Sequence, residues 1–356
     1  MQEKQLLLHL SLIDRIGPAI LERLLLKKEL LKEIYSFSAS DLQFHFGLTY
    51  AAAQKIADGL QDKQRLEHEL ALLQKHGVAF FTVLDQEYPQ ALKHIYRPPI
   101  VLYVKGRLSH EKALAIIGAR KANFYGQKII EKLVPDLAGN GWTIISGGAI
   151  GADTMAHRAT LKNKGKTIAI IGSGLLCPYP FSNKRLFDHI IETGGALVSP
   201  FSLQTTAHPG NFPARNRIIA GMAKGTIVAQ AAHKSGAKIT AEFALEQGKE
   251  VFAVPGSLED PLSVGCHDLI GQGATLVQSA KDVLAAFGEV PIMSHAQEEQ
   301  LPEPFRTILI LCSQPCAIED LLEKVELNLS QMQQLLFDLQ LQGKVTQNLA
   351  GQWEKV

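Results

Sequence analysis

Residues 113–153 read ALAIIGARKANFYGQKIIEKLVPDLAGNGWTIISGGAIGAD, and their order decides the fold class. A short apolar run, Ala113 to Ala119, ends among cations; a helical pattern fills the gap; a β-branched run, Thr143 to Ser146, ends in a glycine-rich turn. That is a β-α-β unit. The alternation continues through Thr167 to Gly172, Ala196 to Ser199, Thr226 to Gln230, Glu250 to Val254 and Ala274 to Val277. These runs are apolar almost throughout, as strands buried on both faces require, so the expectation is an α/β fold around a parallel sheet. Val78 to Val83 and Val101 to Val104 read as extra strands at its edge.

Working outward, residues 1–65 read as helices only: Glu3 to Asp14, Pro18 to Ser36, and shorter pieces at Asp41 to Phe46 and Tyr50 to Asp62. The turn Ile16-Gly17-Pro18 resembles the hairpin of small helix-hairpin-helix or SAM-like modules, with Pro18 preset for the first helical turn. Residues 1–62 carry 7 basic and 8 acidic side chains, which favours a docking or structural role there over nucleic-acid contact. Residues 66–288 hold the sheet. A linker is expected at 289–303, where Pro291, Pro302 and the Glu298-Glu299 pair gather and periodicity is lost. Residues 304–356 then give three helical segments, Phe305 to Ser313, Ala317 to Val325 and Ser330 to Gln342, and two short strands near Val345 and Trp353, the pattern of a winged helix.

With 356 residues, 46% hydrophobic and 20% charged, the chain has ample material for a core, which excludes disorder as its main state. No apolar run approaches the roughly 20 residues of a membrane span. The amino terminus has no basic and apolar segments ending in a cleavage site, so secretion is not expected. Four scattered cysteines, Cys177, Cys266, Cys312 and Cys316, fit a reducing cytoplasm and neither a disulfide framework nor a metal site.

In an open parallel sheet, ligands bind where loops converge beyond the carboxyl ends of the strands. Here those loops are Gly118-Ala119-Arg120-Lys121, Ser146 to Asp153, Gly172-Ser173-Gly174 and, farther on, Phe212-Pro213-Ala214-Arg215-Asn216-Arg217. Glycines bring backbone N–H groups close to an anion, and a helix starting after Gly151 adds a favourable dipole. The Walker pattern is absent, as is a Gly-x-Gly-x-x-Gly turn with a ribose-binding acid, so neither a P-loop ATPase nor a conventional dinucleotide site is expected. Charge by segment narrows the choice. The net formal charge is +1, but residues 154–241 hold 11 Lys and Arg against 2 acids, while residues 242–288 net −5 and 289–356 net −6. A basic, glycine-looped centre suits a surface that follows several phosphates; solvated lysines are the plainer account of about half of these charges. Asp153 and His157, four apart on one helix face, form either an acid–base pair or, the favoured reading, a buried structural hydrogen bond. Ser146 and Ser173 lie in no nucleophile elbow, and no catalytic residue is assigned.

These motifs resemble the DprA/Smf family, the bacterial DNA-processing proteins of natural transformation. The resemblance rests on Ala115-Ile-Ile-Gly-Ala-Arg120, Ser146-Gly-Gly-Ala-Ile-Gly-Ala-Asp153 with His157, Tyr179-Pro180 with Asn183, Phe212-Pro-Ala-Arg-Asn-Arg-Ile-Ile-Ala-Gly221, Ser235-Gly236 with Thr240, and Val251-Phe-Ala-Val-Pro-Gly256. It implies an extended Rossmann domain that binds single-stranded DNA without cleaving it, forms homodimers and helps load the RecA recombinase; it implies no enzyme, cofactor or metal. Carried over by position, Arg120, Lys184, Asn216 and Arg217 are the expected phosphate contacts, with Lys121, Arg185, Arg215 and Lys238 beside them. Ser146, Gly147 and Gly148 would supply backbone donors. Phe187 would stack on a base or, equally, belong to the core. Family members often have acids where this chain has Pro200 and Gln230. Ser330 to Gln342 has no Lys or Arg and one acid, Asp338, so protein contacts rather than duplex reading are expected of the winged helix. The alternatives are a Rossmann enzyme acting on a nucleotide or sugar phosphate, and a structural adaptor.

Overall fold

Each of the expected apolar runs becomes a strand. In chain order they are β1 (Ala79–Thr82), β2 (Val101–Gly106), β3 (Ala113–Ile117), β4 (Thr143–Ser146), β5 (Thr167–Ile170), β6 (Ala196–Ser199), β7 (Gly225–Val228), β8 (Glu250–Ala253) and β9 (Thr275–Leu276). They form one nine-stranded sheet in the order β1-β2-β6-β5-β4-β3-β7-β8-β9. The pairs from β6 through β9 are parallel, while β2 pairs antiparallel with both β1 and β6. The computed structural model describes residues 3–109, 111–289, 303–341, 344–348 and 351–355. Two units divide the chain, Met1–Pro291 and Ile292–Val356; the expected linker falls almost wholly on 290–302, outside the described residues.

Helices α1 (Glu3–Leu12), α2 (Pro18–Leu25), α3 (Ala39–Phe46), α4 (Tyr50–Gln61) and α5 (Lys63–His76) precede the sheet. The helix expected over Pro18 to Ser36 is split, because Lys27 leaves helical geometry (φ −125°, ψ 59°) and Lys28–Ser36 continues as a 3₁₀ segment. A short α6 (Gln90–Lys93) lies between β1 and β2, and α7 (Phe124–Gly139), α8 (Ala152–Lys162), α9 (Lys184–Glu192), α10 (Asn211–Met222), α11 (Gly236–Glu246), α12 (Val264–Gly271) and α13 (Ala280–Ala286) follow.

Strand alternation sorts the core into two layers. Leu114, Ile116 and Ile144 face α7, α8 and α13, whereas Ala115, Ile117 and Ile145 face α10 and α11. The α8 layer continues past α9 onto the amino-terminal helices: Ala169, Ile171, Leu197 and Tyr103 share one buried cluster with Leu7, Leu10, Leu24 and Ile56. The helical segment and the sheet therefore share a core. Glu69 of α5 ties them further, its Oε1 accepting from the Leu203 N–H at 2.8 Å in the loop that leads to α10.

The connection from β6 through α10 returns to β7 on the opposite side of β3, so strand order reverses at β3 and α10 lies beside the reversal. That is where an open α/β sheet leaves a crevice.

In the second unit, helices Phe305–Leu311, Ile318–Lys324 and Leu329–Leu341 and the hairpin β10 (Val345–Gln347) with β11 (Trp353–Lys355) match the winged-helix pattern. Ile308, Leu321, Met332 and Leu336 form its centre.

Candidate nucleic-acid interface

Three adjoining hollows open at the crevice. The first, about 590 Å³, lies between the loop after β3, the first turns of α10 and the start of α11; Gly118, Arg120, Phe212, Asn216 and Ser235 line it. A second, about 350 Å³, is walled by Gly147, Ile150, Tyr179 and Phe212. The third, about 520 Å³, runs along α8 past Arg158 and Lys162 to Asn183, with Glu131 on its far side. Arg120 lines all three.

Close backbone packing throws Arg120 outward. Gly151 has φ +87°, and any side chain there would strike the carbonyls of Ala119 and Arg120, so the loops after β3 and β4 touch directly. Behind them Gln230 is 1% exposed. Its Oε1 accepts from the Asn123 N–H at 3.1 Å, and its Nε2 donates to Asn123 Oδ1 at 2.9 Å and Asp260 Oδ2 at 3.3 Å. Both halves of the amide are used, which a carboxylate cannot match. Gln230 thus fixes the Asn123 cap of α7 immediately after Arg120.

Beneath the surface lies a charge pair that sequence spacing did not reveal. Arg215 Nη1 stands 3.8 Å from Asp153 Oδ2, with side chains 5% and 10% exposed. Asp153 also accepts from the Ala149 N–H at 3.2 Å. Burial pushes the Asp153 carboxyl above the ordinary carboxylate range, and the facing guanidinium draws it back. Arg215 Nε is buried without a partner among the described residues, although Arg215 borders the first two hollows.

Several expected contacts change role. Ser146 is wholly buried and donates to the Ile116 carbonyl at 2.6 Å; Gly148 is buried over the Phe187 ring. The donors of the β4 loop turn inward toward Asp153, so the protein's own carboxylate fills the anion seat expected before α8. Phe187 is 1% exposed. It sits with Leu186 and Ile190 on the buried side of α9, so it belongs to the core and cannot stack on a base. The ring that borders the hollows is Phe212: it is half-buried, with Arg120 5.3 Å and Arg215 5.8 Å from its ring centroid and the Tyr179 ring at 5.9 Å. Tyr179 is 49% and Phe181 76% exposed. The signal was present in sequence, since Tyr179 and Phe212 each precede a proline, Tyr179 in a loop and Phe212 in the first turn of α10, whereas Phe187 falls in an apolar helical stripe.

Among the cations, Arg120, Lys121, Lys184 and Arg185 are exposed. Lys184 holds Asp188 at 2.9 Å, and Lys238 is tied to Asp268 at 2.8 Å. Asn216 lines the first hollow, but Arg217 faces away from it, toward the opposite side of α10.

Asp153 and His157 do not form an acid–base pair. His157 is fully buried, and its Nδ1 lies 2.7 Å from Thr167 Oγ1. That hydroxyl already donates to the Ile144 carbonyl at 2.7 Å, so Nδ1 carries the ring proton and Nε2 is bare. Burial lowers the His157 pKa to about 3. A buried structural hydrogen bond was the favoured expectation; its partner is Thr167. Among the described residues no three His, Cys, Asp or Glu side chains are grouped to hold a metal, and no helix is long and apolar enough to cross a membrane.

Comparison with known proteins agrees with this layout. Residues 79–288 match the family model for DNA recombination-mediator protein A. DNA processing protein DprA of Streptococcus pneumoniae is 48% identical over 209 residues, 58% of this chain and 73% of that protein. The Bacillus subtilis DprA is 41% identical over 244 residues, 68% of this chain and 80% of that protein. The X-ray structure of the Streptococcus pneumoniae DprA superposes with a TM-score of 0.69 at 39% identity, over 80% of this chain and 98% of that one. A structure of the Helicobacter pylori DprA, described for its single-stranded DNA binding mode, gives 0.54 at 28% identity over 59% of this chain and 95% of that one. With its sheet matched from β1 to the end of α13, the chain belongs to the DNA recombination-mediator protein A family, the DprA/Smf proteins.

Proposed function

We propose that this chain binds single-stranded DNA without cleaving it and helps place the RecA recombinase on that strand. One observation carries the reading: Arg120, freely exposed, stands over the Phe212 ring in a wall common to three hollows. A cation beside an accessible ring is the pairing that single strands use, phosphate to the charge and base to the π-face. Lys121 and Arg158 extend the basic rim, and Lys184 and Arg185 are exposed at the start of α9, next to Asn183 of the third hollow. The Helicobacter pylori relative, described for its single-stranded DNA binding mode, supports the same reading. An enzyme acting on a sugar phosphate has less support, because the two buried titratable groups nearest the crevice are engaged elsewhere, Asp153 with Arg215 and His157 with Thr167.

We further propose that the chain works as a homodimer through its sheet domain, in the cytoplasm, and that 304–356 is a separate functional module, while 1–65 acts as one piece with the sheet whose core it shares. RecA provides the test. On oligo-dT coated with single-strand-binding protein, the full chain should shorten the lag before RecA hydrolyses ATP. An unchanged lag, with strand binding intact, would contradict RecA loading. A 1–290 truncation run in parallel shows whether the carboxyl-terminal segment takes part.

A further inference from the structure

The clefts above leave unused the Ile16-Gly17-Pro18 hairpin and the side of α10 that carries Arg217. These face one another. Arg217 lies two residues past Arg215, hence roughly 200° around the helix. There a separate cleft of about 640 Å³ is bounded by the Arg15–Pro18 turn, Pro99–Val101 before and in β2, the Pro200–Ser202 turn, and Ala214, Arg217 and Ile218 of α10.

Its charge is mainly positive. Among the described residues exposed Arg15 has no side-chain hydrogen bond or ion pair, and Arg217 Nε is buried without a partner. Arg97, two residues before Pro99, is near enough to Arg217 to help hold its pKa below the ordinary guanidinium value, second to burial itself. Asp14 also lines the cleft, but it is occupied by Arg65 at 2.9 Å. Just outside the lining, Tyr96 presents an aromatic face, 68% exposed, with the Arg97 guanidinium 4.7 Å from its centroid. The backbone singles out the same place: among the described residues three non-glycine residues have positive φ, and of these Arg15 (+64°) lines the cleft and Arg97 (+52°) stands near its Arg217. Such conformations cost energy and gather where the fold must aim a side chain.

We propose that this cleft is a second seat for the same DNA strand: phosphates are held by Arg15, Arg97 and Arg217, and a base lies on Tyr96. The proposal rests on the single-strand reading above. The two seats lie on opposite sides of one helix, about 10–12 Å across with its side chains, so a strand crossing the start of α10 reaches both. A cluster of unpaired guanidinium groups beside an exposed ring suits a flexible polyanion with bases better than an apolar partner.

The test compares labelled oligo-dT of ~5 and ~20 nucleotides by anisotropy, using the full-length parent, an Arg15→Asn/Arg97→Asn double variant and Arg120→Glu. Asparagine tolerates positive φ, so the double variant keeps the local backbone; Tyr96→Ala serves as a second variant if it does not fold. The parent should gain affinity strongly from the short to the long strand. In the double variant that gain should shrink about tenfold, and the salt slope for the long strand should flatten by about 0.7 per lost phosphate contact. A double variant that keeps the full gain and slope, while Arg120→Glu loses both strands, overturns the second seat alone. Parental binding by Arg120→Glu overturns the underlying reading instead. Loss of the gain in the parent on adding inorganic phosphate at constant ionic strength would mark a pocket for a free anion and also overturn the proposal.

Discussion

The guanidinium of Arg215 lies where a side chain on Gly147 would begin: a Cβ at that position would collide with Nη1. The glycine of the β4 loop is thus the counterpart of a buried arginine 68 positions later, and both serve Asp153. Gly147→Ala should push Arg215 off the carboxylate and cost about 3–5 kcal/mol, the penalty for breaking a buried ion pair. Urea denaturation checks this. An Asp153→Asn/Arg215→Met double variant should be less destabilised than Arg215→Met alone, because the single change strands a buried carboxylate.

The two phenylalanines should part company. Phe212→Ala is expected to weaken oligo-dT binding by about 1–3 kcal/mol, the worth of one base stacked on a ring, with little loss of stability. Phe187→Ala is expected to cost about 3–5 kcal/mol of stability as a cavity in the core, and to bind normally wherever it remains folded. Binding isotherms and denaturation curves on the same two proteins decide the assignment.

His157 gives stability a pH dependence of known sign. Its folded pKa, about 3, lies below the ordinary histidine value of 6.5, so between those limits the unfolded chain binds a proton that the folded chain does not. The contribution is complete above pH 6.5 and is lost as pH falls toward 3, at up to about 1.4 kcal/mol per pH unit. His157→Gln should show a shallower decline than the parent in denaturation series between pH 7 and pH 5.

The helix Leu329–Leu341 carries no Lys or Arg. A fragment beginning at residue 292 should therefore show no measurable duplex affinity at ~0.15 M salt, where helices that read a groove depend on basic side chains. Gel shift with a mixed-sequence duplex is sufficient.

How much of this was legible in the sequence depends on distance along the chain. Strand positions were, because two-sided burial leaves apolar runs that no surface segment imitates. Arg120 was, because it follows a strand end directly. The Gly147–Arg215–Asp153 arrangement was not, since pairing across tens of residues is set by how α10 crosses the sheet. Arg217, an expected phosphate contact carried over by position, lines a different cleft from Asn216, because helical periodicity sends Arg215 and Arg217 to opposite sides of α10. Phe187 was open between core and stacking until its neighbours Leu186 and Ile190 were seen buried with it.

Under the proposed function, Arg120 and the hollows around it hold a single strand. Anisotropy of labelled oligo-dT against salt, for the parent and for folded Arg120→Glu, tests it most directly. The parent should bind tightly at low salt, with a steep fall as salt rises at a slope of about −0.7 per phosphate contacted, and the variant should bind little. Absence of binding by the parent at low salt, or a variant that binds as well as the parent, would contradict it.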